Sequence, residues 1–247
     1  MPEFDTSRKE SSLSFPPPVP WTPRDVAWGL LGFVLWMLFL LVAALLGERL
    51  ALPVDMGLVV VFGEIVLLLP VWYFTVHKYG VNWADLGLRG FEPTMVGVGC
   101  GLMLLAYIFI VLYANFLALF GWQIQPDIEL IFEHTTFPLV LLFGGAIVAP
   151  FVEEVFFRGF VFTGLSRKWD WKKAALVSAG LFALAHVVPT SFLPIFILGL
   201  VFAFLYQSSG SIWPAILMHT LFNAANLLAV YALSQGWISM ILLANLC

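Results

Sequence analysis

The sequence predicts an all-α membrane protein, a polytopic helix bundle of seven to eight transmembrane helices. Of its 247 residues, 62% are apolar or aromatic (AVILMFWYC) and only 11% are charged, whereas a soluble domain is nearer half apolar and a quarter charged. The apolar residues also fall into runs comparable with the roughly 20 residues that cross a bilayer. A chain of this length has no room for a separate soluble domain beside these runs.

The expected spans follow one another along most of the chain. They cover residues 26–46, 57–76, 94–120, 137–165, 174–188, 192–207 and 212–233. A shorter eighth apolar run, residues 237–246, accounts for the range of seven to eight. Pro150 lies inside the fourth run, and because proline removes a backbone donor, the helix is expected to kink or restart there.

The chain is expected to form a single membrane domain with three segments. Residues 1–24 are polar and then proline-rich, which predicts a disordered cytoplasmic tail. Residues 25–136 hold the N-terminal transmembrane helices, and residues 137–247 hold the helices with candidate catalytic residues. The first apolar run is too long for the core of a cleavable signal peptide, so it is expected to remain as a span.

The basic residues predict the orientation. With the N-terminus in the cytoplasm, nine of the 11 Lys and Arg residues fall on the cytoplasmic side, Arg49 falls on the other side and Arg158 lies within a span. This matches the positive-inside bias of membrane proteins. The loops are simple and carry no organelle signal, which favours the plasma (inner) membrane. No basic stripe with interleaved aromatics is present, so no nucleic-acid partner is expected.

Ionisable residues inside spans are costly in hydrocarbon, and each is therefore a candidate functional residue. They concentrate late in the chain. The fourth span carries Glu153, Glu154 and Arg158, the fifth His186, and the seventh His219 with Asn223, while the second span carries a lone Glu64.

Counting residues from the cytoplasmic end of each helix predicts how deep these groups lie. At a rise of 1.5 Å per residue, Glu153, His186 and Asn223 come out roughly 17–18 Å deep. His219 comes out about 10 Å deep, one turn from Asn223 on the same helix face. The sequence therefore predicts one buried polar site built from three helices.

The residue types at this site suggest hydrolysis. A carboxylate and a neutral imidazole, here Glu153 and His186, can hold a water molecule and take its proton. A second histidine with an asparagine one turn further, here His219 and Asn223, can donate hydrogen bonds to a developing oxyanion. Glu154 and Arg158 have the i, i+4 spacing of a helical ion pair, which would leave Glu153 as the unpaired carboxylate.

Other interpretations of these residues remain open. Each histidine could be a core residue with satisfied hydrogen bonds, and Asn223 could simply join two helices. Glu64 could support the site or pack against another helix. His186, His219 and Glu153 are also plausible zinc ligands, although the HExxH spacing is missing. The site could instead serve a non-catalytic immunity or transport protein.

Three motifs, in this order and each in an apolar helix, resemble those of the CAAX protease and bacteriocin-processing family (CPBP, or Abi, family) of intramembrane glutamic proteases. They are EExxxR at residues 153–158, FxxxH at 182–186 and HxxxN at 219–223. The resemblance covers residues 137–233, and the segment 84–89 (ADLGLR) also looks like one common in the family.

The resemblance implies an eight-helix α fold with a cavity open toward the cytoplasm. It also implies a metal-independent endopeptidase without a cofactor, acting on a peptide or on a prenylated or otherwise lipidated protein at the bilayer. The implied roles are water activation by Glu153 and His186, oxyanion stabilisation by His219 and Asn223, and support of the site by Glu154 and Arg158.

Overall fold

The computed structural model describes residues 19–50, 55–124, 132 and 135–235. Within these ranges, every regular element is helical. The expected eighth span, residues 237–246, and the first 18 residues of the expected tail lie outside the described residues.

Seven helices account for the seven expected spans. They are α1 (Pro23–Arg49), α2 (Met56–Val66, continued by Leu68–Trp72 and a π-helical turn, Tyr73–His77), α3 (Thr94–Ala118), α4 (Pro138–Ser166), α5 (Trp171–Ala185), α6 (Phe192–Ser209) and α7 (Trp213–Ser234). All but α5 are long and apolar enough to cross a membrane. The prediction of an all-α polytopic membrane bundle is confirmed, with six such helices in the described part of the chain and α5 as a shorter, seventh helix of 15 residues.

One end of the bundle, which we call the basic end, joins the start of α1 to the segments after α2 and α6. Lys78 and Tyr79, which follow α2, both donate hydrogen bonds to the Asp25 carboxylate in the first turn of α1. The Arg89 side chain donates to the Gly210 carbonyl after α6 at 2.6 Å. The described basic residues of this end are Arg24, Lys78, Arg89, Arg167, Lys168, Lys172 and Lys173.

The opposite end, which we call the far end, joins the other set of connections. The Asp55 carboxylate caps α2 by accepting from Leu58 N at 3.1 Å, and it also accepts from Thr136 N just before α4 at 2.6 Å. Thr190, between α5 and α6, donates to the Ile124 carbonyl after α3 at 2.9 Å. Successive helices therefore alternate in direction, and α5 connects the two ends in spite of its length.

The described residues just before the expected boundary at residue 24 contact the bundle. Trp21 is completely buried, and its indole N–H donates to the Phe160 carbonyl in α4 at 3.0 Å. A Cβ at Gly164 would lie 2.8 Å from the Trp21 ring, so this glycine makes room for the tryptophan. Thr22 then caps α1 in a capping box with Asp25. Burial of a large aromatic ring fixes a segment that composition alone assigned to the tail.

Helix α4 is the centre of the bundle and contacts α1, α2, α5, α6 and α7. It is not a regular α-helix. A π-helical turn at Gly144–Val148 gives way to an α-helical segment, Ala149–Glu154, with Pro150 in its first turn. A second π-helical segment, Val155–Phe162, follows. The expected restart at Pro150 is present, and two wide segments flank Glu153 and Glu154.

Candidate active site

Glu154 and Arg158 form the buried ion pair that their spacing predicts. Both side chains are fully buried, and Arg158 Nη1 donates to Glu154 Oε1 at 2.9 Å. Arg158 Nη2 donates to the Gly199 carbonyl of α6 at 3.0 Å. The guanidinium carbon also lies 4.5 Å from the centroid of the Phe182 ring. The charge of Glu154 is thus matched inside the protein, and the pair ties α4 to α5 and α6.

Gly199 allows this arrangement because α5 and α6 approach very closely beside it. A Cβ at residue 199 would lie 2.9 Å from Ala179 Cβ and 3.3 Å from Arg158 Nη2. Real Cβ atoms do not occupy such positions, so glycine lets the guanidinium reach the α6 backbone.

His219 bridges the two neighbouring carboxylates of α4. Its Nδ1 lies 2.9 Å from Glu154 Oε1, and its Nε2 lies 3.5 Å from Glu153 Oε2. Its ring stacks on Phe202, with centroids 4.7 Å apart, and meets the edge of Phe182 at 5.7 Å and 90°. Two aromatic rings and two carboxylates therefore fix both the plane and the rotation of this imidazole.

Glu153 is the carboxylate without an ion-pair partner of its own on α4. Its side chain is 15% exposed, and its Oε2 atom is buried without a hydrogen-bond partner among the described residues. Buried polar atoms are nearly always hydrogen-bonded in native proteins, so an unsatisfied carboxylate oxygen marks a group available to water or to a ligand.

His186 lies at the C-terminal end of α5, with its Nδ1 2.9 Å from the Phe182 carbonyl oxygen. With the proton on Nδ1, this contact is a hydrogen bond, and the lone pair on Nε2 remains available. The ring packs against Phe182 at 4.9 Å, and His186 is within electrostatic range of His219 and Arg158. No hydrogen bond or ion pair joins it to Glu153 in the described part of the chain.

The residue after His186 has an unusual backbone. Val187 has φ 60° and is 83% exposed, and among the described non-glycine residues no other φ is positive. Left-handed backbone is costly for a β-branched residue. Such strain is frequent beside functional groups.

Asn223 does not lie at the level that residue counting predicts. Its Nδ2 donates to the Gly145 carbonyl at 3.0 Å, eight residues before Glu153 on α4. Glu153 is instead level with His219, so the expected common depth of Glu153 and Asn223 is wrong. The counting assumed 1.5 Å per residue, whereas the wide turns of Val155–Phe162 rise less and place Glu153 nearer the basic end.

Glu64 of α2 borders the same site. Helix α2 packs along the Gly144–Val148 and Ala149–Glu154 segments of α4. Glu64 Oε2 is buried without a hydrogen-bond partner among the described residues, and the carboxyl group interacts electrostatically with Glu153 and His219. The structure thus brings Glu64 to the edge of the polar cluster.

Within the described ranges, no group of three or more His, Cys, Asp or Glu side chains is arranged to hold a metal ion. The absence of a cofactor stays a prediction, as does the zinc alternative.

Two residues of the site had only weak signals in the sequence. Phe202 stacks on His219, but it stands in an apolar run that offers no reason to single it out. Gly199 lies in the same run, and a small residue within a span is a recognisable sign of close helix contact. Phe182, which contacts Arg158, His186 and His219, belongs to the FxxxH motif.

The segment 84–89 has a structural role near the site. Its Trp83–Leu86 turn packs on Gly159 of α4, where a Cβ would lie 2.7 Å from the Leu86 carbonyl oxygen. The Gly87 carbonyl accepts from Ile212 N at 3.0 Å, just before α7. This segment therefore clamps α4 to the connection between α6 and α7.

Comparison with known proteins links this region to peptidases. Residues 135–225 match the family model described as type II CAAX prenyl endopeptidase Rce1-like. A stretch of 86 residues is 34% identical to Putative membrane peptidase YdiL of Bacillus subtilis (strain 168), which is 35% of this chain and 35% of that relative. The match thus spans about a third of the length of the relative. No solved structure matches the chain. The residues that match the family model include all three motifs.

Proposed function

We propose that this chain, whose residues 135–225 match the Rce1-like family model, is a member of the CAAX protease and bacteriocin-processing family and a metal-independent intramembrane endopeptidase. The observation that carries the proposal is the unequal state of two adjacent carboxylates. Glu154 is fully buried and shares its Oε1 with Arg158 and His219, whereas Glu153 is 15% exposed, forms no ion pair with an arginine or lysine among the described residues and lies 3.5 Å from His219. A carboxylate held in this way suits the removal of a proton from water.

In the proposed reaction, Glu153 and His186 activate the water. The water oxygen forms a bond to the carbonyl carbon of the substrate while its proton passes to Glu153. The Nε2 lone pair of His186 accepts a hydrogen bond from the second hydrogen of that water, which stays on the oxygen, because Nδ1 is engaged by the Phe182 carbonyl. When the C–N bond breaks, the proton on Glu153 passes to the leaving nitrogen, so the enzyme returns to its initial state.

His219 and Asn223 stabilise the oxyanion in this scheme. With both ring nitrogens protonated, His219 donates from Nδ1 to Glu154 and directs the Nε2 hydrogen to the substrate oxygen. The site then holds two cations, Arg158 and His219, against two anions, Glu153 and Glu154. Asn223 uses one amide hydrogen on the Gly145 carbonyl and has a second one for the oxyanion.

The proposed setting is the inner membrane, with the basic end in the cytoplasm. The described basic residues of this end, together with Arg8 and Lys9 of the tail, follow the positive-inside bias. The proposed substrate is a peptide or a prenylated or otherwise lipidated protein that reaches the site from the membrane. The prenyl group is part of the proposal because the description of the matched family model names a prenyl endopeptidase.

The test uses two quenched fluorescent peptides of the same C-a-a-X sequence, one farnesylated and one not, with detergent-purified protein. Wild-type protein should cleave at a rate that strong chelators leave unchanged. The cleavage rate of Glu153→Gln should be lower by at least about a hundredfold, the scale of general-base catalysis. Glu48→Gln, the same change at an exposed position of α1, is the matched control. The ratio of the two peptide rates shows whether the prenyl group is recognised.

Other outcomes would redirect the assignment. Cleavage retained by Glu153→Gln would contradict the glutamic mechanism. Loss with a chelator and recovery with zinc would favour the zinc alternative. If neither peptide is cleaved, and liposomes containing the protein show proton-coupled transport that depends on Glu153, the results would favour a transport protein.

A further inference from the structure

Glu64 is a half-buried acid that the proposed mechanism leaves unused. It is the one charged residue in the Met56–Val66 part of α2. This helix packs directly on the α4 segment that carries Glu153. One oxygen of Glu64 is buried without a hydrogen-bond partner among the described residues, as is one oxygen of each of Glu153 and Glu154. An ionisable group so placed inside a membrane span needs a physical explanation.

The cations of the site are not shared equally by the three carboxyl groups. Glu154 contacts both Arg158, at 2.9 Å, and His219, at 2.9 Å. Glu153 is 3.5 Å from His219 and lies within electrostatic range of Arg158. Glu64 takes part in no ion pair among the described residues. Its main electrostatic neighbour is Glu153, followed by His219.

This distribution decides which carboxyl groups carry charge. In the proposed mechanism His219 is a cation, so Arg158 and His219 balance two carboxylates, and the two with the nearest cations are Glu154 and Glu153. A third anion would face Glu153 in a low-dielectric environment with no cation to offset it. Carboxyl groups that interact in this way do not all ionise, and a proton stays on the least compensated one.

We propose that Glu64 is a positioning residue that remains protonated and directs its O–H toward Glu153, directly or through one water molecule. The proposal rests on the proposed function, since it concerns the same reaction. The Glu64 proton is not consumed in the cycle. Its hydrogen bond holds the Glu153 carboxylate in one orientation, so that Glu153 is the group that receives the proton of the attacking water.

Few other titratable groups face Glu64. The groups that interact electrostatically with Glu64 are Glu153 of α4 and His219 of α7, while Glu154 and Arg158 of α4 pair with each other. Helix α1 meets this part of α2 through the Trp36 indole, which donates to the Gly63 carbonyl at 3.0 Å. The described charged residues of α1 stand near its ends and are Arg24, Asp25, Glu48 and Arg49.

Two substitutions separate a proton donor from a packing residue. Glu64→Met keeps much of the volume but removes the donor, so kcat should fall about tenfold to a hundredfold with little change in KM, as for a lost hydrogen bond to a charged group. Glu64→Gln keeps a hydrogen-bond donor of similar shape, so its kcat should fall less than that of Glu64→Met. Its kcat should also fall less steeply at alkaline pH, because wild-type Glu64 loses its proton there and repels Glu153. Glu48→Gln, measured in parallel, should follow the wild-type pH profile.

An infrared measurement tests the proton without relying on activity. The difference spectrum of wild type minus Glu64→Gln at neutral pH should contain the C=O band of a protonated carboxyl group, shifted in heavy water. Absence of that band would overturn the proposal, as would wild-type kcat and pH profile in Glu64→Met. If Glu153→Gln remains active, the proposed mechanism fails, while the infrared band still decides whether Glu64 holds a proton.

Discussion

The two halves of the membrane domain, α1–α3 and α4–α7, are both strongly apolar, but the most buried helices, α4 and α6, belong to the second half, whereas α7 at 17% is no more buried than α2 at 24%. Of the most apolar stretch of α1, 6% is buried inside the protein, against 50% of that of α4. Phe39 of α1 is 58% exposed, whereas Phe156 and Phe160 of α4 are completely buried. In a bilayer, the exposed faces of α1 and α3 meet lipid, and α4 meets protein.

This difference shows what hydropathy reports in a membrane protein. Lipid is as apolar as leucine, so an apolar run reveals only that a helix enters the membrane. The protein interior is marked by polar residues and by small residues that permit close contact, here Glu154, Arg158 and Gly199. The three motifs and the core of the bundle coincide for this reason.

Removing a buried charge should give the largest difference in stability loss between the two halves. Arg158→Met leaves Glu154 buried beside an apolar side chain, which should cost about 3–5 kcal/mol of unfolding free energy. Arg49→Met, at the exposed end of α1, should stay within about 0.5 kcal/mol of wild type. Unfolding by SDS in mixed micelles measures both. The double variant Glu154→Gln/Arg158→Met should recover part of the loss. Equal midpoints for the two single variants would show that the buried pair does not stabilise the second half.

A matched pair of glycine substitutions should show the same difference between the halves, with smaller changes in unfolding free energy. Gly199→Ala forces a Cβ against Ala179 and Arg158, which should cost about 1–3 kcal/mol. Gly32→Ala on α1 meets no atom within 4 Å and should stabilise its helix by about 0.5–1 kcal/mol. The same unfolding assay should therefore give shifts of opposite sign. Shifts of the same sign would mean that close packing does not distinguish the halves.

Asp55 joins the halves at the far end and should give the smallest effect, visible only in acid. Partial burial acts to raise its pKa, but hydrogen bonds from Leu58 N, Thr136 N, Thr135 Oγ1 and Phe137 N outweigh this and lower the pKa below its usual value. A carboxyl group with a lowered folded-state pKa stabilises the protein fully above the unfolded value of about 3.9. That contribution is lost as the pH falls through the folded-state pKa.

The measurement for Asp55 is the thermal midpoint of wild type and Asp55→Asn between neutral pH and about pH 3. At neutral pH the wild type should have the higher thermal midpoint, and the midpoints of the two proteins should converge in acid. Glu92→Gln, at an exposed position before α3, should run parallel to wild type throughout. A constant gap between wild type and Asp55→Asn would show that the charge of Asp55 contributes nothing.

Most of the helices and the membership of the polar cluster could be predicted from the sequence. Long apolar runs fix the spans, and the cost of charge in hydrocarbon singles out Glu153, Glu154, Arg158 and His219. The i, i+4 spacing alone was enough to pair Glu154 with Arg158, and the structure contains that pair. These inferences depend on local spacing and on transfer energies, which the sequence contains.

The remainder depends on contacts between distant residues. Counting placed Glu153 level with Asn223, because nothing in the sequence shows that Val155–Phe162 is π-helical. The contact of Trp21 with Phe160 joins residues 139 apart in the chain. The stacking of Phe202 on His219 likewise requires two helices to be in register. Such features follow from the packing of helices against one another, which the propensities of single residues do not determine.

The shortness of α5 has a consequence for the surrounding bilayer. Its 15 residues span about 22 Å, whereas the hydrocarbon core of a bilayer is about 30 Å thick. A helix this short is accommodated when the lipid thins around it or when its end lies below the headgroups. His186 lies at that end, so acyl-chain length sets how far the imidazole lies from bulk water. The thickness of the host membrane thereby acts on the hydration of the candidate site.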